Sequence, residues 1–415
     1  MAIPAQPGEA LQFEDARRIV EEHAATILNS KLEIVDLLEA AGRTLAVPVL
    51  ADRDFPPFPR STRDGFAVRS SDVQQVPATL RVVGELRAGE DPEKISAGVQ
   101  PGEAVAIMTG APVPNGANAV VMVEFTHQAG GEIAVRRTVT SGENIVPRGA
   151  EAAMGSTLVE RGACMHAAAI ALAASVGQQR LTVFARPRVA ILATGDELVD
   201  INATPGAAQI RNSNSSSLAT QVKAAAGEPV LLPIAADDAD KLRALLQSGL
   251  KEDLLLISGG VSVGRYDLVE RVLAELGAEF FFTGALIQPG RPVVFGRAAQ
   301  KYFFGLPGNP VSTMVTFELF VRPMLHAMAG RPVGKLRFLY ARLNREIKTK
   351  PGLKRFLPAI LSGELENVTV ELVPWQGSGD LAATARADCY IVVPSDRPVI
   401  AAGEWIAVMV PSAAM

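Results

Sequence analysis

Cysteine is almost missing: Cys164 and Cys389 are the two in 415 residues, far apart and outside any CxxC spacing. That argues against a disulfide framework and a thiolate metal site, and predicts a reducing, cytoplasmic setting. Histidine is nearly as sparse. His23, His127, His166 and His326 are isolated from one another, so no HExxH or Cys/His pair supports a zinc hydrolase. An excess of one charge is also lacking. Forty basic against 44 acidic residues leave a net charge of -4, which gives no global attraction for nucleic acid or an anionic membrane. Any anionic ligand must therefore be held by local donors. The longest apolar stretch, residues 163–176, is interrupted by His166 and Ser175. It falls short of the ~20 residues that span a bilayer and reads as a buried helix. Residues 1–14 carry acidic and polar side chains and no apolar core, which predicts no secretory leader. Finally there is no GxxxxGK[ST], and SGGVSVG at 258–264 has the wrong glycine spacing for GxGxxG. P-loop ATP hydrolysis and NAD chemistry are weak readings.

What is present is length and pattern. The chain is long enough for three or four domains, and 48% apolar with 20% charged residues is ordinary globular composition. Phe13, Ala16, Ile19 and Val20 recur at helical spacing, and Ile34, Leu37, Leu38 and Ala41 repeat it before Gly42, predicting two helices. DFPPFPR at 54–60 then breaks helical structure. Short β-prone runs follow, among them LRVVGEL, AVAIM and AVVMVEF, and AGG at 129–131 before EIAVRR signals a hairpin. Helical character returns near 165–176. This predicts a mixed helical domain made of residues 1–55 and 150–185, with a β-rich domain, 56–149, inserted into it.

From 186 to 331 strands alternate with helices. RVAILAT, PVLLPI, DLLLISGG, PVVFGR and YFFGLP read as strands between helices such as 215–227, 239–250, 266–277 and 310–328. Such alternation implies crossover units and a mostly parallel sheet covered on both faces, a central three-layer α/β domain. After Gly330, RFLYARL, VTVELVPW, DCYIVVP and WIAVMVP predict a small β barrel or sandwich over 332–415. The fold class expected is multidomain α/β.

In open α/β sheets ligands sit beyond the carboxyl ends of the strands, where helix N-termini present free N–H groups. Four loops leave such ends: TGDEL at 194–198, IRNSNSSSL at 210–218, SGGVSVGRYD at 258–267 and LPGNPVS at 306–312. Taken singly, a Gly-Gly after a strand reads as a turn and Asn309-Pro310 as a helix cap. Together they should converge on one edge of one sheet. Their donors (Thr194, Gly195, Asn212, Ser213, Ser258, Gly259, Gly260, Ser262, Gly264, Gly308, Asn309 and Ser312), with Pro307 and Pro310 setting the path of the fourth loop, suit phosphate without a basic protein. Glu197, Asp237 and Asp267 lie at or just beyond strand ends, and oxygen-only ligands suit Mg²⁺ bridging carboxylates and phosphates. The bland reading of Asp237 and Asp238 is that they cap the helix starting near Ala239.

Those loops in that order, with PGRP at 289–292 (Pro289, Gly290, Arg291), resemble the molybdopterin-binding domain of molybdenum-cofactor biosynthesis proteins. STRDGFAVR at 61–69, IMTGAPVPNGANAVV at 107–121 and GENIVPRGAE at 142–151 extend the likeness across the inserted domain. With the C-terminal β domain included, the chain resembles the molybdopterin molybdenumtransferase family, similar to the C-terminal domain of gephyrin. The resemblance implies insertion of molybdate into adenylylated molybdopterin, giving molybdenum cofactor and AMP with help from Mg²⁺. It implies catalytic or substrate-handling roles for Asp64, Thr109, Glu197, Asp237 and Asp267, and positions near the pocket for Arg355 and Ser378. It further implies a homodimer whose pocket both subunits line, with contacts to the molybdopterin adenylyltransferase and to acceptor molybdoenzymes. Transfer at phosphorus needs positioning and charge neutralisation, so the absence of a Ser-His or Cys-His pair is expected.

Three positions depart from the family pattern. Arg63 stands where methionine is usual, and in GALIQPGRP Gly284 and Gln288 stand where lysines are expected. Glutamine cannot bind an oxyanion as a point charge. Arg63 or Arg291 could supply the charge. The alternatives are a non-catalytic cofactor-binding or scaffolding paralogue, and an adenylyltransferase built on the central domain alone.

Overall fold

The structure is a computed structural model that describes residues 10–29, 31–260, 268–332, 335–336 and 338–411. Two separated chain segments build the first domain. Leu32–Asp36 pairs antiparallel with Arg180–Phe184, Val49–Leu50 pairs with Thr157–Val159, and the helix Ala167–Ser175 closes over them. Leu45, Met165 and Val183 are fully buried between. The helix expected around residues 34–41 is absent. Residues 32–36 form a strand and Leu37–Ala40 a single 3-10 turn. β-branched Ile34 and Val35 suit a strand, and its partner arrives 148 residues later in the Ile34 to Thr182 pairing. A non-local partner overrode the local spacing.

The inserted domain is a six-stranded sheet with Gly65–Val68 between Glu103–Ile107 and Ala119–Met122. The expected hairpin joins Thr126–Ala129 to Glu132–Val135 through Gly130 (φ 58°) and Gly131 (φ 86°). Both turn residues need the left-handed region, which glycine enters freely.

The central sheet runs Glu228–Leu231, Arg188–Ala193, Leu254–Ser258, Lys301–Leu306, all parallel, then Val294–Ala298 and Glu279–Phe282 antiparallel. Alternation along Arg188–Ala193 sends Val189 and Ile191 into one core and Ala190 and Leu192 into the other, so both faces are covered. Helix Phe13–Ala25 packs into the first of these cores through Phe13, Ala16, Val20 and Ala24, although it lies within residues 1–55, the span expected for the mixed helical domain. The helical run Pro310–Thr316, Phe317–Val321 and Arg322–Met328 crosses the same core, with a π-turn in its middle third.

The last domain is a closed barrel. Lys354–Ser362, Thr369–Leu372, Phe338–Leu343, Trp405–Met409 and Cys389–Val393 follow one another, and the last pairs back onto the first. Closure removes free strand edges. Ile287–Gln288, from the central domain, adds itself in parallel to Lys354–Ser362 and couples the two domains. Among the described residues no helix is long and apolar enough to cross a membrane.

Candidate functional site

A cavity of about 840 Å³ opens at the carboxyl ends of the parallel strands. Thr194 and Gly195, Ser258 with Gly259 and Gly260, and Pro307 through Pro310 line it from three strand ends. The ends are stitched together: Thr194 N–H donates to Ser258 O at 3.0 Å, and Gly259 N–H to Leu306 O at 3.1 Å. The second loop is tied to the first by a short parallel ladder, Leu198–Val199 on Ile210–Arg211. Glycine at 259 and 260 is a spatial requirement. A Cβ at Gly259 would sit 2.6 Å from the Thr194 carbonyl oxygen, and one at Gly260 2.7 Å from the Thr194 hydroxyl. Both also hold positive φ, 90° and 63°.

Asn212 and Ser213 line the cavity, but the Asn212 side chain is occupied by the backbone: Ser215 N–H donates to its Oδ1 at 3.1 Å. Asn214, not singled out from the sequence, reaches further. Its Nδ2 donates to Ser258 Oγ at 2.8 Å and to Gly308 O at 2.7 Å, bridging the second, third and fourth loops. Its buried Oδ1 has no hydrogen-bond partner among the described residues. Within RNSNSSS the two asparagines are chemically alike, and only the loop's three-dimensional path separates them.

Glu197 and Asp237 lie on this pocket, and Asp196 stands beside them. Asp237 N–H donates to Asp196 Oδ1 at 3.0 Å, which fixes one acidic loop to the other. Asp238, not Asp237, caps the following helix, accepting from Asp240 N–H and Lys241 N–H. The Asp237 carboxylate accepts no hydrogen bond from a described residue. Desolvation in the pocket, and then the charges of Asp196 and Glu197, raise its pKa above the usual carboxylate range. A carboxylate cluster short of countercharge fits a divalent cation. No three acidic or imidazole groups are arranged to chelate one unaided among the described residues. Mg²⁺ commonly takes one or two carboxylates and completes its shell with water and phosphate oxygens. Ser262, Gly264 and Asp267 lie outside the described residues.

A second cavity of about 300 Å³ shares Pro292, Pro307 and Asn309 with the first and is lined by Gln288, Pro289, Gly290, Arg291, Ser312 and Ser378. Asn309 does not cap its helix. Its Nδ2 donates to Ser378 Oγ at 2.9 Å instead, joining the central domain to the barrel, while Pro310 holds the first helical position as expected. Arg355 lies behind this cavity, 8% exposed, and donates from Nε to Gln288 Oε1 at 2.8 Å. Gly284 is outside the lining. Its carbonyl accepts from Leu11 N–H at 3.0 Å, and Ala10 packs over it.

Asp64 and Thr109 are brought together but not into either cavity. Asp64 Oδ1 accepts from the Thr109 N–H at 2.7 Å and from its hydroxyl at 2.8 Å, which lowers the Asp64 pKa. Arg63 has its carbonyl engaged by the Ser61 hydroxyl, and its residue lines neither cavity.

Comparison with known proteins covers nearly the whole chain. Residues 11–177 match the MoeA N-terminal region (domain I and II), 190–327 a probable molybdopterin binding domain, and 340–410 the MoeA C-terminal region (domain IV). The molybdopterin molybdenumtransferase of a Nostoc species is 35% identical over 91% of this chain and 88% of its own. That of Bacillus subtilis is 32% identical over 91% and 89%. A molybdopterin biosynthesis MoeA protein of Pyrococcus horikoshii superposes with a TM-score of 0.80 at 28% identity, covering 97% of this chain and 100% of that one.

Proposed function

The chain belongs to the MoeA family of molybdopterin molybdenumtransferases, enzymes of molybdenum cofactor biosynthesis, and on that premise we propose that it inserts molybdate into adenylylated molybdopterin, releasing AMP. The observation that carries this reading is the pairing of two adjoining cavities of opposite character. One is rich in glycine amides and carries the carboxylates of Glu197 and Asp237. The other has donors and no carboxylate among its described lining residues. The first suits the adenylylated pyrophosphate with a cation, and the second suits the molybdate oxyanion.

In this scheme Ser258 and the backbone around Gly259, Gly260 and Gly308 orient the phosphates, and Asn214 keeps their three loops in register. Glu197 and Asp237 would hold Mg²⁺, which when bound supplies charge neutralisation on phosphate oxygens as the anhydride is cleaved. Gln288, Arg291 and Ser378 hold the molybdate. Asp64 and Thr109 act from a second copy of the chain in a homodimer. Supporting this, neither lines the pocket of its own chain, and the first domain exposes Leu32, Ile34 and Leu38 at 49, 69 and 79%. The setting proposed is the cytoplasm, with the molybdopterin adenylyltransferase and acceptor molybdoenzymes as partners.

The pocket assignment is tested with Gly308→Leu. A Cβ there meets nothing closer than 3.6 Å, so the variant folds while its side chain fills the cavity mouth. Calorimetric titration with adenylylated molybdopterin should show at least about a tenfold loss of affinity at an unchanged melting temperature. Unchanged affinity would place the substrate elsewhere.

A further inference from the structure

Three buried side-chain nitrogens at the end of the helical run from Pro310 to Met328 have no hydrogen-bond partner among the described residues: Arg322 Nη1, His326 Nε2 and Arg331 Nε. The backbone puts the three side chains together. His326 follows Arg322 by four residues, one turn along the same helix face. Arg331 is brought back to that face by the helix end. Its N–H donates to His326 O at 2.9 Å, and Gly330 N–H donates to Ala327 O at 3.0 Å, with Gly330 at φ 75°. A helix end closed by these two crossed bonds usually packs an apolar pair at the two outer positions. Here that pair is His326 and Arg331.

Negative charge is short at this place. Arg17 is paired with Glu21 at 2.7 Å and Arg322 with Glu318 at 2.6 Å, but Arg331 has no carboxylate partner among the described residues. Its Nη2 donates instead to Gly42 O at 2.8 Å, across the junction with the first domain. On that side Arg186 adds positive charge near Arg331, and Glu33 is taken by Arg43 at 2.6 Å. Burial, then Arg331, Arg322 and Arg17, hold His326 uncharged at neutral pH. Burying an N–H without an acceptor is costly, and three of them beside surplus positive charge call for an acceptor that is itself negative.

We propose that Arg322, His326 and Arg331 form a binding site for a small monovalent anion, chloride by size and charge, which ties the end of this helical run to the first domain. One negative charge balances Arg331. A spherical ion accepts from three donors and presents no further oxygens or protons that need partners. A water would have to donate its own protons, and Gln221 Oε1, the unpartnered acceptor on the neighbouring helix, belongs to a side chain tied to Met314 O and Glu318, one to two turns before Arg322. None of the three residues lines either cavity of the proposed reaction, so the site is independent of it.

The experiment uses the full-length protein in two arms. Crystals soaked in bromide should show an anomalous peak bounded by the Arg322, His326 and Arg331 side chains. In solution, replacing gluconate by chloride at constant ionic strength should raise the melting temperature by roughly 2 °C or more and then saturate. Bromide should replace chloride and sulfate should not. Arg331→Met should abolish the increment. If that variant does not fold, the bromide arm on the unaltered protein still decides. An ordered water where bromide is expected, or an equal chloride increment in Arg331→Met, would overturn the site.

Discussion

Adjacent aspartates, 237 and 238, divide structure from chemistry. Asp238 accepts two backbone N–H groups at a helix start and is lowered in pKa by them, Lys241 N–H first. Asp237 accepts none and is raised. Asp237→Asn should therefore cut AMP release by about a hundredfold or more while leaving the denaturation midpoint nearly unchanged. Asp238→Ala should do the reverse, lowering the midpoint by a few degrees with activity largely kept. Paired rate and melting measurements on the two variants check this, and equal losses in both would contradict it. In sequence the two residues are indistinguishable, because either can cap the helix near Ala239. Asn309 misled in the same way: Asn-Pro promises a cap, but Ser378 lies 69 residues on and takes the side chain instead. The glycine loops were legible since their order and spacing are local. The Arg355–Gln288 tie was not, because it depends on strand pairing between two domains.

Among the elements, the helical run from Pro310 to Met328 carries a buried ionic network. Glu318 accepts from Arg322 Nε at 2.6 Å and Nη2 at 2.7 Å, and from Gln221 at 2.8 Å, with both charged residues at most 5% exposed. Arg17 donates to the Leu319 carbonyl within the π-turn. Glu318→Leu leaves the Arg322 charge uncompensated and should cost roughly 3–5 kcal/mol in chemical denaturation, much of it recovered when Arg322→Met is added. Near the end of the run, His326 is pushed down to about 4 by burial and then by Arg331, Arg322 and Arg17. The unfolded chain then binds a proton near 6.5 that the folded chain refuses. This contribution is complete above that pH and is lost as pH falls toward about 4. His326→Met should flatten the fall in melting temperature across that window; an unchanged slope would remove His326 as its source. Strands with both neighbours buried, such as Arg188–Ala193, were readable from apolar run length alone. Leu32–Asp36 was not, since its helical spacing was real but its strand partner was remote.

For the whole molecule, the multidomain α/β class was legible because strand–helix alternation in the middle of the chain gives way to β-prone runs after Gly330. What sequence periodicity could not convey is that Asp64 and Thr109 sit apart from the pocket of their own chain. The homodimer reading makes this a matter of assembly. Sedimentation equilibrium should give twice the monomer mass, and Ile34→Asp with Leu38→Asp should yield a folded monomer with little activity. A monomeric wild type that still turns over would refute the shared pocket. The reaction proposed is molybdate-dependent cleavage of the adenylylated pterin. Its most direct test is the rate of AMP release from adenylylated molybdopterin by the purified chain with Mg²⁺, measured with and without molybdate in one preparation. AMP should accumulate in step with active cofactor only when molybdate is present. Tight pterin binding with no AMP under either condition would contradict it.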